Sequence, residues 1–176
     1  MKLTGILLTT AAAMALSGCS TLVSLQPFVT DQQAAFDAGL LGIWANLAQD
    51  ELFIVRQDGN NYKIRHIKDQ ETQSFSARLF KVGDLRILDL VSATADPFQV
   101  AVHTPMRIWV DGGTLRFAML DSDWMKENAR KQVAIQDSGD RALITAPGDA
   151  VLKFLVTYGA GDNAYGKPSE LQKQQQ

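Results

Sequence analysis

Few side chains in this sequence have the chemistry of a nucleophile, a base or a metal ligand. There is one cysteine, Cys19, and there are two histidines, His66 and His103. Together with Asp89 the histidines could make a His/His/Asp set, the donor chemistry of zinc and iron sites. Spacing does not favour it, because no His-x-x-x-His occurs and Cys19 lies far from both. No metal and no cofactor are expected. Asp89 is unusual in sitting between Leu88 and Leu90. A buried carboxylate is costly unless it is paired or hydrogen-bonded, and Arg86, Arg107, Arg116 or His103 could partner it. Two roles follow, a lock on sheet register or a polar anchor for a ligand, and the first is the expectation. Nucleophilic catalysis needs a Ser or Cys beside a base. The serines lie in turns and tails without a Gly-x-Ser-x-Gly context, so no catalytic residue is assigned and an enzyme is not expected. Asp58-Gly59-Asn60-Asn61 lacks the alternating acids of a calcium loop. Gly112-Gly113 lacks the Lys and helix start of a phosphate cradle.

Cys19 is better understood from what precedes it. Met1-Lys2 is a positive start, and an apolar run from Gly5 to Leu16 follows. That is the layout of a secretory signal, and the run is shorter than the roughly 20 residues needed to cross a bilayer. Leu16-Ser17-Gly18-Cys19 resembles the lipobox of bacterial lipoproteins. The resemblance implies cleavage before Cys19, so residues 1–18 form a signal peptide. It also implies a diacylglycerol on the Cys19 sulfur and an amide-linked fatty acid such as palmitate. A single acyl chain binds a membrane only marginally, whereas three would anchor the protein durably. Ser20 in place of Asp implies sorting to the outer membrane, with the protein facing the periplasm.

Composition bounds the rest. The chain has 46% hydrophobic and 20% charged residues and a net charge of −2, ordinary for a globular protein. This mild acidity gives no case for nucleic-acid binding. With Cys19 taken by lipid, the mature fold has no disulfide and must be stable by packing.

The elements that must position these residues are mostly strands. Residues 19–30 are expected to be a lipidated tether. Asp31 has the chemistry to cap a short helix through Ala38, with Gly39 as its stop. From Ile43 the apolar period is two. Leu52–Arg56 reads as a strand and Asp58–Asn61 as a turn. Tyr62, Ile64 and His66 share one face of the next strand. Phe75, Ala77 and Leu79 share a face of a third, and Leu85–Val91 is a fourth. Thr94–Gln99 reads as a loop before a strand over Val100–Val110, where Pro105 argues for an edge or a bulge. Leu115, Phe117 and Met119 alternate after the Asp111-Gly112-Gly113 turn. Asp121 caps a helix running to Lys131. Two short strands flank Asp137-Ser138-Gly139-Asp140. A final helix starts at Thr145-Ala146-Pro147 and ends at Gly159, with Val151, Phe154, Leu155 and Tyr158 on one face. Residues 31–159 form a single β-rich domain, and 160–176 a disordered polar tail.

About nine strands joined by hairpin turns predict a mainly β fold, an antiparallel up-and-down barrel or a sandwich. Gly42-Ile43-Trp44 resembles the Gly-x-Trp of lipocalins, where the Trp packs across the closed end of the barrel, and a late helix laid on the barrel is also similar. The Tyr after the Trp and the later Thr-Asp signature of that family are missing. Leu88-Asp89-Leu90 and the Thr145-Ala146-Pro147 helix start are also similar to bacterial envelope domains. Two functions follow. The chain is a non-enzymatic, lipid-anchored envelope protein whose domain binds another protein or organises the envelope. Alternatively it is a lipocalin-like carrier of a small apolar ligand or lipid, held by Phe53, Ile64, His66, Asp89 and His103. A filled interior favours the first, and a cavity of several hundred cubic ångströms the second.

Overall fold

The computed structural model describes residues 21–93, 100–138 and 141–175. The expected signal peptide over residues 1–18, Cys19, Thr94–Gln99 (where a loop is expected) and Gly139-Asp140 (where a turn is expected) lie outside them. Eleven strands are described: β1 (Thr21–Ser24), β2 (Gly42–Asn46), β3 (Glu51–Asp58), β4 (Asn61–Lys68), β5 (Glu71–Val82), β6 (Leu85–Ser92), β7 (His103–Asp111), β8 (Thr114–Met119), β9 (Ile135–Ser138), β10 (Arg141–Ile144) and β11 (Ser169–Gln174). Two α-helices accompany them, α1 (Ser122–Ala129) and α2 (Gly148–Tyr158).

β2 to β8 run up and down, each antiparallel to the next, and β6 pairs with β7 while β11 pairs with both β8 and β2. The result is a closed antiparallel barrel of eight strands. The sequence dictates one of its ends. Hairpins β3–β4, β5–β6 and β7–β8 turn at Gly59, Gly83 and Gly112, whose φ values of 65°, 56° and 57° lie in the left-handed region. A side chain is strained there and glycine is not. The chain between β8 and β11 leaves the barrel, forms α1, β9, β10 and α2, and returns. Its strands make a side sheet in which β10 pairs antiparallel with β9 and parallel with β1.

Two apolar cores result. One fills the barrel, around Trp44, Tyr62, Leu79, Ile108 and Leu171. The other lies between the outer wall of the barrel and the helices, joining Ile87 and Ala118 to Met125, Ile144, Phe154 and Leu155. Val151, Phe154 and Leu155 are buried as the helical periodicity requires, and Tyr158 is exposed with its ring against Phe154. Asp121 caps α1 by accepting from the Trp124 N–H at 2.7 Å.

Four expectations are corrected. The polar tail is a barrel strand: β11 has neighbours on both sides and Leu171 is buried. Its alternation is hidden because Lys173, opposite Trp44, turns its ammonium back over the indole at 5.0 Å. Residues 21–30 of the expected tether are part of the fold, since β1 pairs with β10 and Phe28 and Val29 are fully buried. The helix from Asp31 does not form. Asp31 binds the Arg78 guanidinium at 2.6 Å and Ala35 bridges to Leu79, which draws this segment across the barrel end and leaves only a 3-10 turn at Ala38–Leu40. Pro105 is neither at an edge nor at a bulge. The β6–β7 register runs unbroken through it, opposite Asp89. Its missing N–H faces β8 where that ladder ends, at the Leu120 N–H to Pro105 carbonyl contact of 3.5 Å.

Chain entry is therefore structural. A chain beginning at Gly39 lacks β1, Phe28 and Val29, and each large apolar side chain removed forfeits about 1.5–3 kcal/mol of burial. Such a chain is expected to lose its cooperative thermal transition in circular dichroism. A melt like that of a chain that keeps residues 21–38 would contradict this role.

Candidate functional site

Strand register decides which side chains enter the barrel. Trp44 lies opposite Phe53, Phe53 opposite His66, and Val55 opposite Ile64, so these residues share the inner face. The closed end is built from the segment before β2. Trp44 is fully buried and its Nε1–H donates to the Leu40 carbonyl at 2.9 Å. The Tyr62 hydroxyl accepts from the Asp37 N–H at 2.7 Å and donates to the Asp37 carbonyl at 3.3 Å, while Phe36 stacks on its ring at 5.5 Å. Burial pushes the Tyr62 hydroxyl pKa up. Lys173 Nζ donates to the Gly39 carbonyl at 3.1 Å.

The other end carries a polar pair. His66 Nε2–H donates to Glu51 Oε1 at 2.9 Å, with side-chain exposures of 20% and 8%. The imidazole stacks on Phe53 at 4.3 Å, and Phe53 meets Phe117 edge-on at 5.5 Å. Between the ends the side chains nearly fill the space. The apolar void lined by Phe53, Ile64, Leu88, Ile108 and Phe117 measures about 30 Å³, against the 300–1,000 Å³ of ordinary small-molecule sites.

Asp89 and His103 lie on the opposite face of the wall. Leu88 and Leu90 pack in the barrel core and Asp89 points outward. It is 1% exposed. One carboxylate oxygen accepts from the Phe28 and Val29 N–H groups at 3.1 and 3.4 Å, and the other is 2.9 Å from His103 Nδ1. His103 is therefore its side-chain partner among those considered. Arg86 pairs with Asp37, Arg116 lies over Trp109, and Arg107 is engaged elsewhere. Asp89 ties chain entry to the barrel. The first turn of α2 clamps the same segment from the other side, where a Cβ on Gly148 would collide with the Pro27 carbonyl.

The five residues assigned to ligand binding are thus divided by the sheet: Phe53, Ile64 and His66 inside, Asp89 and His103 outside. The His/His/Asp set is not assembled, and among the described residues no three His, Cys, Asp or Glu side chains converge on a metal position. Glu51, the partner of His66, was hidden because Asp50-Glu51 has the look of turn residues. A second unforeseen cluster is the Arg107 guanidinium, 4.6 Å from the Trp109 ring and 5.1 Å from Tyr165, donating to the Ala160 carbonyl at 2.8 Å. Among the described residues, Arg107 Nε and the Tyr165 hydroxyl have no hydrogen-bond partner. Burial pushes the Tyr165 pKa from 10.0 to about 12, against the pull of Arg107.

No protein-family model matches the chain, and no curated protein or solved structure does so either.

Asp89→Asn is expected to destabilise the fold by about 3 kcal/mol, because it strands a buried partner. His103→Ala should cost about 1–2 kcal/mol, since the two backbone donors remain. Urea denaturation of both variants checks the order, and a reversed order would contradict the assignment. For Tyr165, the folded state holds its proton more tightly than the unfolded chain does. The associated stability is whole below pH 10 and is lost as pH rises towards 12. Tyr165→Phe should keep the neutral-pH melting temperature and weaken this alkaline loss, measured as melting temperature against pH.

Proposed function

We propose that this chain is a lipid-anchored cell-envelope protein, held through acyl chains on Cys19 at the outer membrane and facing the periplasm. Its barrel is a non-enzymatic module that binds another envelope component through its outer surface. The observation that carries this reading is the filled interior. A void of about 30 Å³ has no room for an acyl chain or a cofactor-sized ligand. The two polar pairs are explained by packing: Asp89–His103 fastens chain entry, and Glu51–His66 satisfies the inner face near the barrel's rim.

The carrier reading draws support from one feature. Trp44 plugs a closed end while Phe53 and Phe117 stand beside Glu51 and His66 at the other, which resembles the arrangement of a lipocalin. Loading such a barrel would require both phenylalanine rings to swing aside. Native mass spectrometry of protein purified from its host tests the choice. The interaction reading expects the mass of the protein, alone or with a macromolecule. A retained apolar molecule of a few hundred daltons would favour the carrier.

The anchor has its own test. Cys19→Ser is expected to abolish palmitate labelling and to leave uncleaved precursor or protein released from the membrane fraction. Undiminished label in that variant would overturn the lipid attachment.

A further inference from the structure

The outer face of β3, β4 and β5 carries a groove of about 250 Å³ in which the charged side chains are all basic. Register sets its layout. Arg56 lies opposite Lys63, which lies opposite Ser76, and in the next outward row Ile54 lies opposite Arg65, which lies opposite Ser74. Three cations therefore occupy adjacent positions on two strands, two hydroxyls complete the rim on a third, and Ile54 supplies apolar floor.

This is an unfavourable arrangement for a bare sheet. Like charges directly opposite each other on paired strands destabilise them. Asp58 lies 3.2 Å from Lys63 Nζ and offsets part of the cost, at an exposed position where such pairs are weak. Arg56 and Arg65 have no ion pair or side-chain hydrogen bond among the described residues. Nor is the cluster a by-product of overall charge, because the chain is net −2.

We propose that this groove binds a phosphate-bearing anion, with phosphoryl oxygens on the Arg56 and Arg65 guanidinium groups and the Ser74 and Ser76 hydroxyls donating beside them. A guanidinium fork matches phosphate geometry with two parallel hydrogen bonds, and Lys63, shared with Asp58, adds a point charge. The bound anion relieves the repulsion between Arg56 and Lys63. The proposal deepens the interaction reading by naming the chemistry of a contact outside the barrel, and it stands whether or not Cys19 is lipidated.

The test uses the full chain with Cys19→Ser in every arm, so that acylation plays no part. Inorganic phosphate is titrated calorimetrically, and retention on phosphatidylglycerol vesicles is compared with retention on phosphatidylcholine vesicles. The double variant Arg56→Gln/Arg65→Gln removes the fork, and Lys153→Gln removes an exposed cation on α2 as a control. Saturable phosphate binding, weakened at least about tenfold in the double variant and unchanged in Lys153→Gln, supports the site and identifies a free phosphoryl group as sufficient. Retention on the anionic vesicles alone, lost in the double variant, supports it with a lipid headgroup as the source. Binding that the double variant leaves intact, binding that Lys153→Gln weakens equally, or no binding in either arm overturns it. The double variant should keep or raise the melting temperature, because it removes opposed like charges. A large fall in melting temperature would make the arginines structural and would also overturn the proposal.

Discussion

Closure of the eight-stranded ring by β11 is the constraint on which the other features depend. An open sheet of seven strands would leave β2 and β8 with unpaired N–H and C=O groups, a template for pairing with another chain. β11 pairs with both and removes the two edges. Its one large apolar side chain, Leu171, enters the barrel core, and Lys173 covers Trp44 at the closed end. Because the closing strand comes last, everything between β8 and β11 must be accommodated outside. The α1–β9–β10–α2 excursion accordingly packs on the outer wall and forms a second core there.

That second core explains the polar interactions nearest to it. The segment entering the barrel crosses the outer wall of β6, where two backbone N–H groups would be buried without partners. Asp89 supplies the acceptor for both, and His103 holds the carboxylate in place. Leaving such donors unsatisfied costs more than the hydrogen bonds gain. A carboxylate between two leucines is therefore a consequence of chain entry, and it needs no ligand to account for it.

How much of this the sequence disclosed depends on which interactions carry each element. Hairpins with Gly at the turn and alternating apolar residues were legible, as Tyr62, Ile64, Phe75, Ala77 and Leu79 show, because turn chemistry and a buried inner face are local signals. The helices were legible from Asp121, Gly159 and the spacing of Val151, Phe154 and Leu155. β11 was not. Ser169-Glu170-Leu171-Gln172-Lys173-Gln174 contains one apolar residue, and its place is given by backbone pairing with strands more than fifty residues before it. β1 and Phe28-Val29 were missed for a related reason: their partners are β10 and Asp89, both remote in sequence. The Asp31 helix was a local signal that lost to tertiary pairing, through Ala35 with Leu79 and Asp31 with Arg78. Of the candidate site residues, the alternation placed His66 on an inner face. It could not say that Asp89 and His103 face outward together, since that depends on the register between β6 and β7.

The proposal that recognition takes place on the outside rests on a barrel packed with its own side chains, and so on closure being real in solution. Hydrogen exchange of the β11 backbone amides tests it most directly. The Lys173 N–H donates to the Gly113 carbonyl at 2.7 Å, and its neighbours pair across two ladders. Leu171 and Lys173 are expected to exchange as slowly as the central residues of β4, opening only with the whole barrel. Exchange at the rate of an unstructured tail, with β4 still protected, would show the barrel open between β2 and β8 and would contradict this account.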